Sequence, residues 1–185
     1  MTFFKPSEKI PDTNFTPREL VREEVWGEIW RAGMDDGTEA FLVAYSTPEG
    51  DELFEECEPF LRKWKSVSEG SVAPQLLRIL EINEGAIPYI LVRDPGGPTL
   101  REYVMDQEEG VGLETQGAFG LCAANAIVHC ESYDIAPMGL TPDSVIRDEE
   151  DRDNPWKMLP MAPGTRLQAE MLCEGRYAAP QMKGS

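Results

Sequence analysis

Between Glu49 and Lys65, apolar side chains recur at Leu53, Phe54, Cys57, Phe60, Leu61 and Trp64, a spacing that only an α-helix turns into one continuous face. Such a face has to be covered by another layer. Downstream, Leu76 to Ile82 and Ile87 to Val92 read as two antiparallel strands joined by the Asn83-Glu84-Gly85 turn, so helix and hairpin together predict an α+β domain. Pro59 falls inside the helical stretch and predicts an interruption or a kink there, because proline has no N–H to give the helix. Glu56 and Glu58 read as solvated helix-face charges.

A length of 185 residues suits one domain, with room for two lobes, and 41% hydrophobic residues suffice for a core. With 34 acidic against 17 basic side chains the net charge is −17, which opposes nonspecific binding to nucleic acid or to an anionic membrane and favours a basic partner surface. The acidic run from Arg147 to Asn154 is expected to be a solvated loop. The N-terminus lacks the apolar core of a signal peptide and no stretch reaches the length of a membrane span; the expected location is the cytoplasm, as a whole protein or as the cytoplasmic part of a longer one. There is no internal repeat and no low-complexity run.

Ala118 to Cys130 is a run of small and apolar residues that reads as a buried helix. Three of the four cysteines, Cys57, Cys122 and Cys130, lie in these helical stretches and the fourth is Cys173; none forms a CxxC pair, so reduced core thiols are expected. Cys122, His129 and Cys130 do not have a convincing metal-ligand spacing, and no metal or cofactor is expected. His129 is the single histidine, and its place on this helix argues for packing or a capping hydrogen bond rather than a nucleophile's base.

The stretch Ile135-Ala136-Pro137-Met138-Gly139-Leu140-Thr141-Pro142-Asp143-Ser144-Val145-Ile146 resembles the catalytic loop of the protein kinase family with its reactive groups replaced. That loop reads His-Arg-Asp-Leu-Lys-Pro-x-Asn; here Pro137-Met138-Gly139 stands at His-Arg-Asp, Thr141 at the Lys and Ser144 at the Asn. Glycine cannot accept a proton. Trp156 to Leu159 is similar to the strand before Asp-Phe-Gly, with Pro160 at the metal-binding Asp, and Arg176 to Met182 is similar to the Ala-Pro-Glu segment, with Gln181 at the Glu.

The first half carries the same resemblance. Leu20 to Ala32 is similar to the first two strands of the small lobe, with Arg22 and Glu24 at two glycines of the phosphate-binding loop. Thr38 to Ala44 resembles the third strand, and Val43 stands where the phosphate-binding Lys belongs. Glu56 lies near the Glu that normally pairs with that Lys. Arg93 to Pro98 corresponds to the hinge and Thr99 to Val104 to the short helix after it, with Gly96-Gly97 read as a flexible connector.

The resemblance implies a protein-kinase-like α+β fold: an N-terminal tail over residues 1–17, a small antiparallel-sheet N-lobe with one helix over 18–93, and a hinge with an incomplete, mainly helical C-lobe over 94–185. It implies no enzyme, since Val43, Gly139, Thr141, Ser144 and Pro160 together remove the lysine, the base and the metal ligands of phosphoryl transfer. A pseudokinase acting as a scaffold or allosteric module is the expectation, with another protein, basic in character, or a second copy as partner through the incomplete C-lobe. Unorthodox nucleotide-dependent chemistry in the same cleft and a small acidic antagonist of a basic target are the alternatives. The family continues through further helices after Ala-Pro-Glu, so the chain is expected to be either a fragment of a longer protein or a shortened fold.

Overall fold

The computed structural model describes residues 3–69, 73–107, 110–133, 142 and 144–160. In chain order the elements are β1 (Phe15–Glu24), β2 (Gly27–Met34), β3 (Glu39–Ala44), α1 (Pro48–Ser68), β4 (Ile79–Asn83), β5 (Tyr89–Arg93), α2 (Leu100–Met105), α3 (Leu113–Ser132), β6 (Val145–Arg147) and β7 (Trp156–Met158). The fold is α+β. Five strands form an antiparallel sheet in the order β1-β2-β3-β5-β4, and β6 and β7 form a separate antiparallel pair. Among the described residues no helix is long and apolar enough to cross a membrane.

Strand alternation sends β3 side chains to two different cores. Ala40, Leu42 and Ala44 join Phe15, Trp30, Tyr89 and Leu91 on one face, where Phe4 from the N-terminal segment is also buried. Glu28 ties that segment down: only 3% exposed, it accepts from Trp30 Nε1 at 2.7 Å and from the backbone N–H groups of Phe3 and Phe4. The first strand therefore begins at Phe15, inside the stretch assigned to a tail, and the residues before it contribute to the core.

Phe41, Val43, Ile29, Ile90 and Val92 face the other way and are covered by Leu53, Phe54, Cys57, Leu61 and Trp64 of α1. Each such large side chain removed from water stabilises by roughly 1.5–3 kcal/mol before conformational entropy is counted. Thr47 starts α1 by accepting from Gly50 N at 3.1 Å, Pro48 stands at the first helical position, and Glu49 and Asp51 favour the positive end of the helix dipole. The same Thr47 hydroxyl donates to Val25 O at 3.0 Å, fixing the helix to the β1–β2 turn.

Pro59 does not interrupt α1, which runs on to Ser68. The carbonyl that loses its partner belongs to Glu55, and both residues are exposed, so water can satisfy it. Glu56 is exposed as expected, whereas Glu58 pairs with Arg62, which also reaches Glu84. Leu76 and Leu77 are not part of β4: Leu76 forms a parallel bridge with Met158 and Leu77 N donates to Met158 O at 2.9 Å. The competing strand β7 has claimed them.

The helix expected over Ala118–Cys130 starts earlier, at Leu113, and buries Cys122, Ala126 and Cys130 along one line. Its opposite side is not buried. The acidic run after β6 is only partly solvated. Asp148, 7% exposed, accepts from Glu150 N and Asp151 N, and Asp151 accepts from Asn154 N, so two of its carboxylates build the turn while Glu149, Glu150 and Asp153 point to water.

Candidate functional site

Of the residues singled out by sequence, Val43 lies on the α1 side of the sheet, and Ser144 and Pro160 flank the β6–β7 hairpin. Val43 pairs with Ile29 on one side and Ile90 on the other, and Phe41 pairs with Arg31 and Val92. Val43 is 5% exposed and Phe41 3%, so both are filled positions of a hydrocarbon wall rather than the lining of an open polar cleft. Ser144, 1% exposed, and Pro160, also buried, meet at the base of the hairpin, where Leu159 N donates to Ser144 O at 2.8 Å. Val43, Ile146, Met158 and Leu159 belong to one continuous apolar cluster. Gly139 and Thr141 lie outside the described residues, as do the segments after Pro160 that carry Met161-Ala162, Cys173 and Gln181.

Charge enters this face at Arg31, whose guanidinium carbon sits 5.9 Å from the Phe41 ring centre. Arg31 Nε lies 3.4 Å from Asp94 Oδ2, and its Nη1 lies 3.6 Å from Glu19. Burial pushes the Asp94 carboxyl above the usual carboxylate range; the Gly96 N–H, donating at 2.7 Å, and Arg31 oppose the rise. At the end of β1 Arg22 Nε meets Glu24 Oε1 at 2.5 Å, an ion pair between two charged side chains of one strand.

The Gly96-Gly97 pair is a built joint rather than a loose connector. Gly96 adopts φ +81° in the turn closed by Asp94. A Cβ on Gly97 would lie 2.0 Å from Arg147 O, and Arg147 N donates to Pro98 O at 2.9 Å, so the joint is pressed against β6. Thr99 then caps α2 in a reciprocal capping box with Glu102.

The hairpin is anchored from beneath by Lys157. Only 7% exposed, it donates to Pro74 O at 2.7 Å and pairs with Asp151, with Asp148 at 4.0 Å. Beside it Gln75 Nε2 donates to Asn154 Oδ1 at 2.9 Å, and Met158 N donates to Gln75 O at 2.7 Å. Arg31–Asp94 and the Lys157 anchor were not legible in the sequence. Strand alternation could have placed Arg31 beside Ile29, but nothing local announces its partner across the sheet.

Among the described residues the three thiols, Cys57, Cys122 and Cys130, are buried and unactivated. Burial pushes Cys57 up to about 12, with Glu56 adding to the rise, and Cys122 and Cys130 up to about 11. Cys122 Sγ lies 2.8 Å from Trp156 O. At pH 8, iodoacetamide is therefore expected to alkylate these three residues only as fast as the protein opens, read by mass spectrometry of the peptides; free-thiol rates in the native protein would contradict this.

Compared with known proteins, the chain matches no family model and no curated protein.

Proposed function

We propose that this chain is a degenerate protein-kinase-like domain without phosphoryl-transfer activity that works by binding another protein. The order of elements supports it: three strands, a helix packed on the sheet, two more strands, a short connection and then helices followed by a small hairpin. The observation that carries the inactive reading is the burial of Val43 between Ile29 and Ile90, because the resembled family needs a lysine ammonium there to hold phosphates. Phe41 fills space on the same face, and the Arg22–Glu24 pair offers phosphates one cation already neutralised by an anion.

Phosphoryl transfer rests on positioning and charge neutralisation, so losing the lysine and the metal ligands together removes the means of both binding and catalysis. Titration with ATP and magnesium or manganese up to millimolar concentration is expected to leave the unfolding temperature unchanged. Low-micromolar nucleotide affinity by calorimetry would overturn the proposal and favour unorthodox nucleotide chemistry instead.

A further inference from the structure

From Thr115 to Cys130 helix α3 contains no Asp, Glu, Lys or Arg, in a chain where 28% of residues are charged. Its inner line is buried, yet its outer face leaves Leu113 85%, Leu121 63%, Val128 58% and Ile127 42% exposed. Gly117 and Gly120 lie on the same outer side, and a Cβ on either would meet nothing within 4 Å. Interior helical glycines weaken a helix, and among the described residues nothing crowds these two positions. Small residues between large apolar ones on an open face suit the close approach of another helix.

Two charges bracket this neutral face, Glu114 and Glu131, both exposed. A second copy is a poor occupant. Antiparallel pairing of two α3 helices sets Glu114 of each against Glu131 of the other, parallel pairing sets like against like, and both unite molecules of charge −17. We infer that the outer face of α3 docks an apolar helix of a different protein, one whose ends carry lysine or arginine to meet Glu114 and Glu131. This rests on the protein-binding reading above and names its surface and the partner's chemistry.

The test uses the full chain and two synthetic helical peptides with the same Leu/Ile/Ala stripe, one with lysines at both ends and one with glutamates. Fluorescence anisotropy is expected to show the lysine peptide binding at least tenfold more tightly than its twin, with affinity falling as salt rises. Leu121→Glu and Gly120→Leu should each weaken it at least tenfold without lowering the unfolding temperature, since both positions are open to solvent. Gly120→Ala should raise the unfolding temperature of the free protein by a few degrees. Equal binding of the two peptides, or binding indifferent to Leu121→Glu, overturns the inference. So does failure of the lysine peptide to bind, whether light scattering then finds a dimer that Leu121→Glu dissolves, or a monomer whose face is already covered. Nucleotide titration of the same samples keeps the readings separable: ATP binding would sink the inactive-kinase reading and leave the peptide result standing.

Discussion

Val43→Lys is expected to lower the unfolding free energy by about 3–5 kcal/mol and to create no nucleotide site, because it places an uncompensated ammonium in a hydrocarbon wall. The neighbours across β2 and β5 are Ile29 and Ile90, and the nearest carboxylate suggested by sequence, Glu56, faces solvent on α1. The lysine therefore either stays neutral or forces the sheet and helix apart. Adding Gly139→Asp, Ser144→Asn and Pro160→Asp is expected to leave phosphoryl transfer absent, since Ser144 and Pro160 are themselves buried and each change adds a charge or an amide to packed surroundings. Urea denaturation followed by circular dichroism measures the first effect and a radiolabelled ATP assay the second. Robust phosphorylation by the quadruple variant would mean that the scaffold tolerates far more than its packing suggests.

Lys157→Met is expected to destabilise by about 2–3 kcal/mol, below the usual loss for a fully enclosed pair because Asp151 keeps about a third of its surface in water. The methionine refills the stem but leaves Pro74 O without its donor and Asp148 without its cation. The pH dependence has a definite sign. The Lys157 hydrogen bond holds Asp151 below its ordinary range, so its contribution is complete above the unfolded-state value of about 3.9 and disappears as pH falls through the lower folded value. The gap between wild type and Lys157→Met should therefore narrow in acid. Asp94 works in the opposite sense: burial raises it, so its ionised form costs stability at neutral pH and that cost fades as pH falls through the folded value. Denaturation of both proteins from pH 7 to pH 2 checks this, and a constant gap would show that the Asp151 pair is not what the lysine supports.

How much of this was legible in the sequence follows from where the information sits. The α1 stripe was, because Leu53, Phe54, Cys57, Leu61 and Trp64 repeat locally and all face the sheet; only Phe60 is left half-buried at its margin. The start of α1 was readable one residue further, from Thr47 and Pro48. Leu76 and Leu77 misled because hydrophobicity states that a segment pairs but not with what, and their partner Met158 lies far along the chain. Pro59 misled because its effect depends on which side of the helix it occupies. At the candidate site, Val43 was identified from a resemblance, whereas its surroundings, Phe41 packing under Arg31 and Arg31 reaching Asp94, depend on three strands being aligned. The acidic turn hid its structural half because a count of charges does not separate Asp148 and Asp151, whose short side chains reach backbone N–H groups two or three residues on, from the longer Glu149 and Glu150.

The strap that β7 makes with residues 74–77 also bears on the order in which the chain becomes structured. Leu76 with Met158, Gln75 with Asn154 and Pro74 with Lys157 join points about eighty positions apart, and closing so long a loop is entropically slow relative to the neighbouring strand pairs of the sheet. During synthesis the sheet and α1 can form while Leu76, Leu77 and the edge of the Trp64 cluster still await Met158 and Leu159. A nascent chain at that stage carries sticky surface until the β6–β7 hairpin emerges, a window in which a chaperone would be needed most.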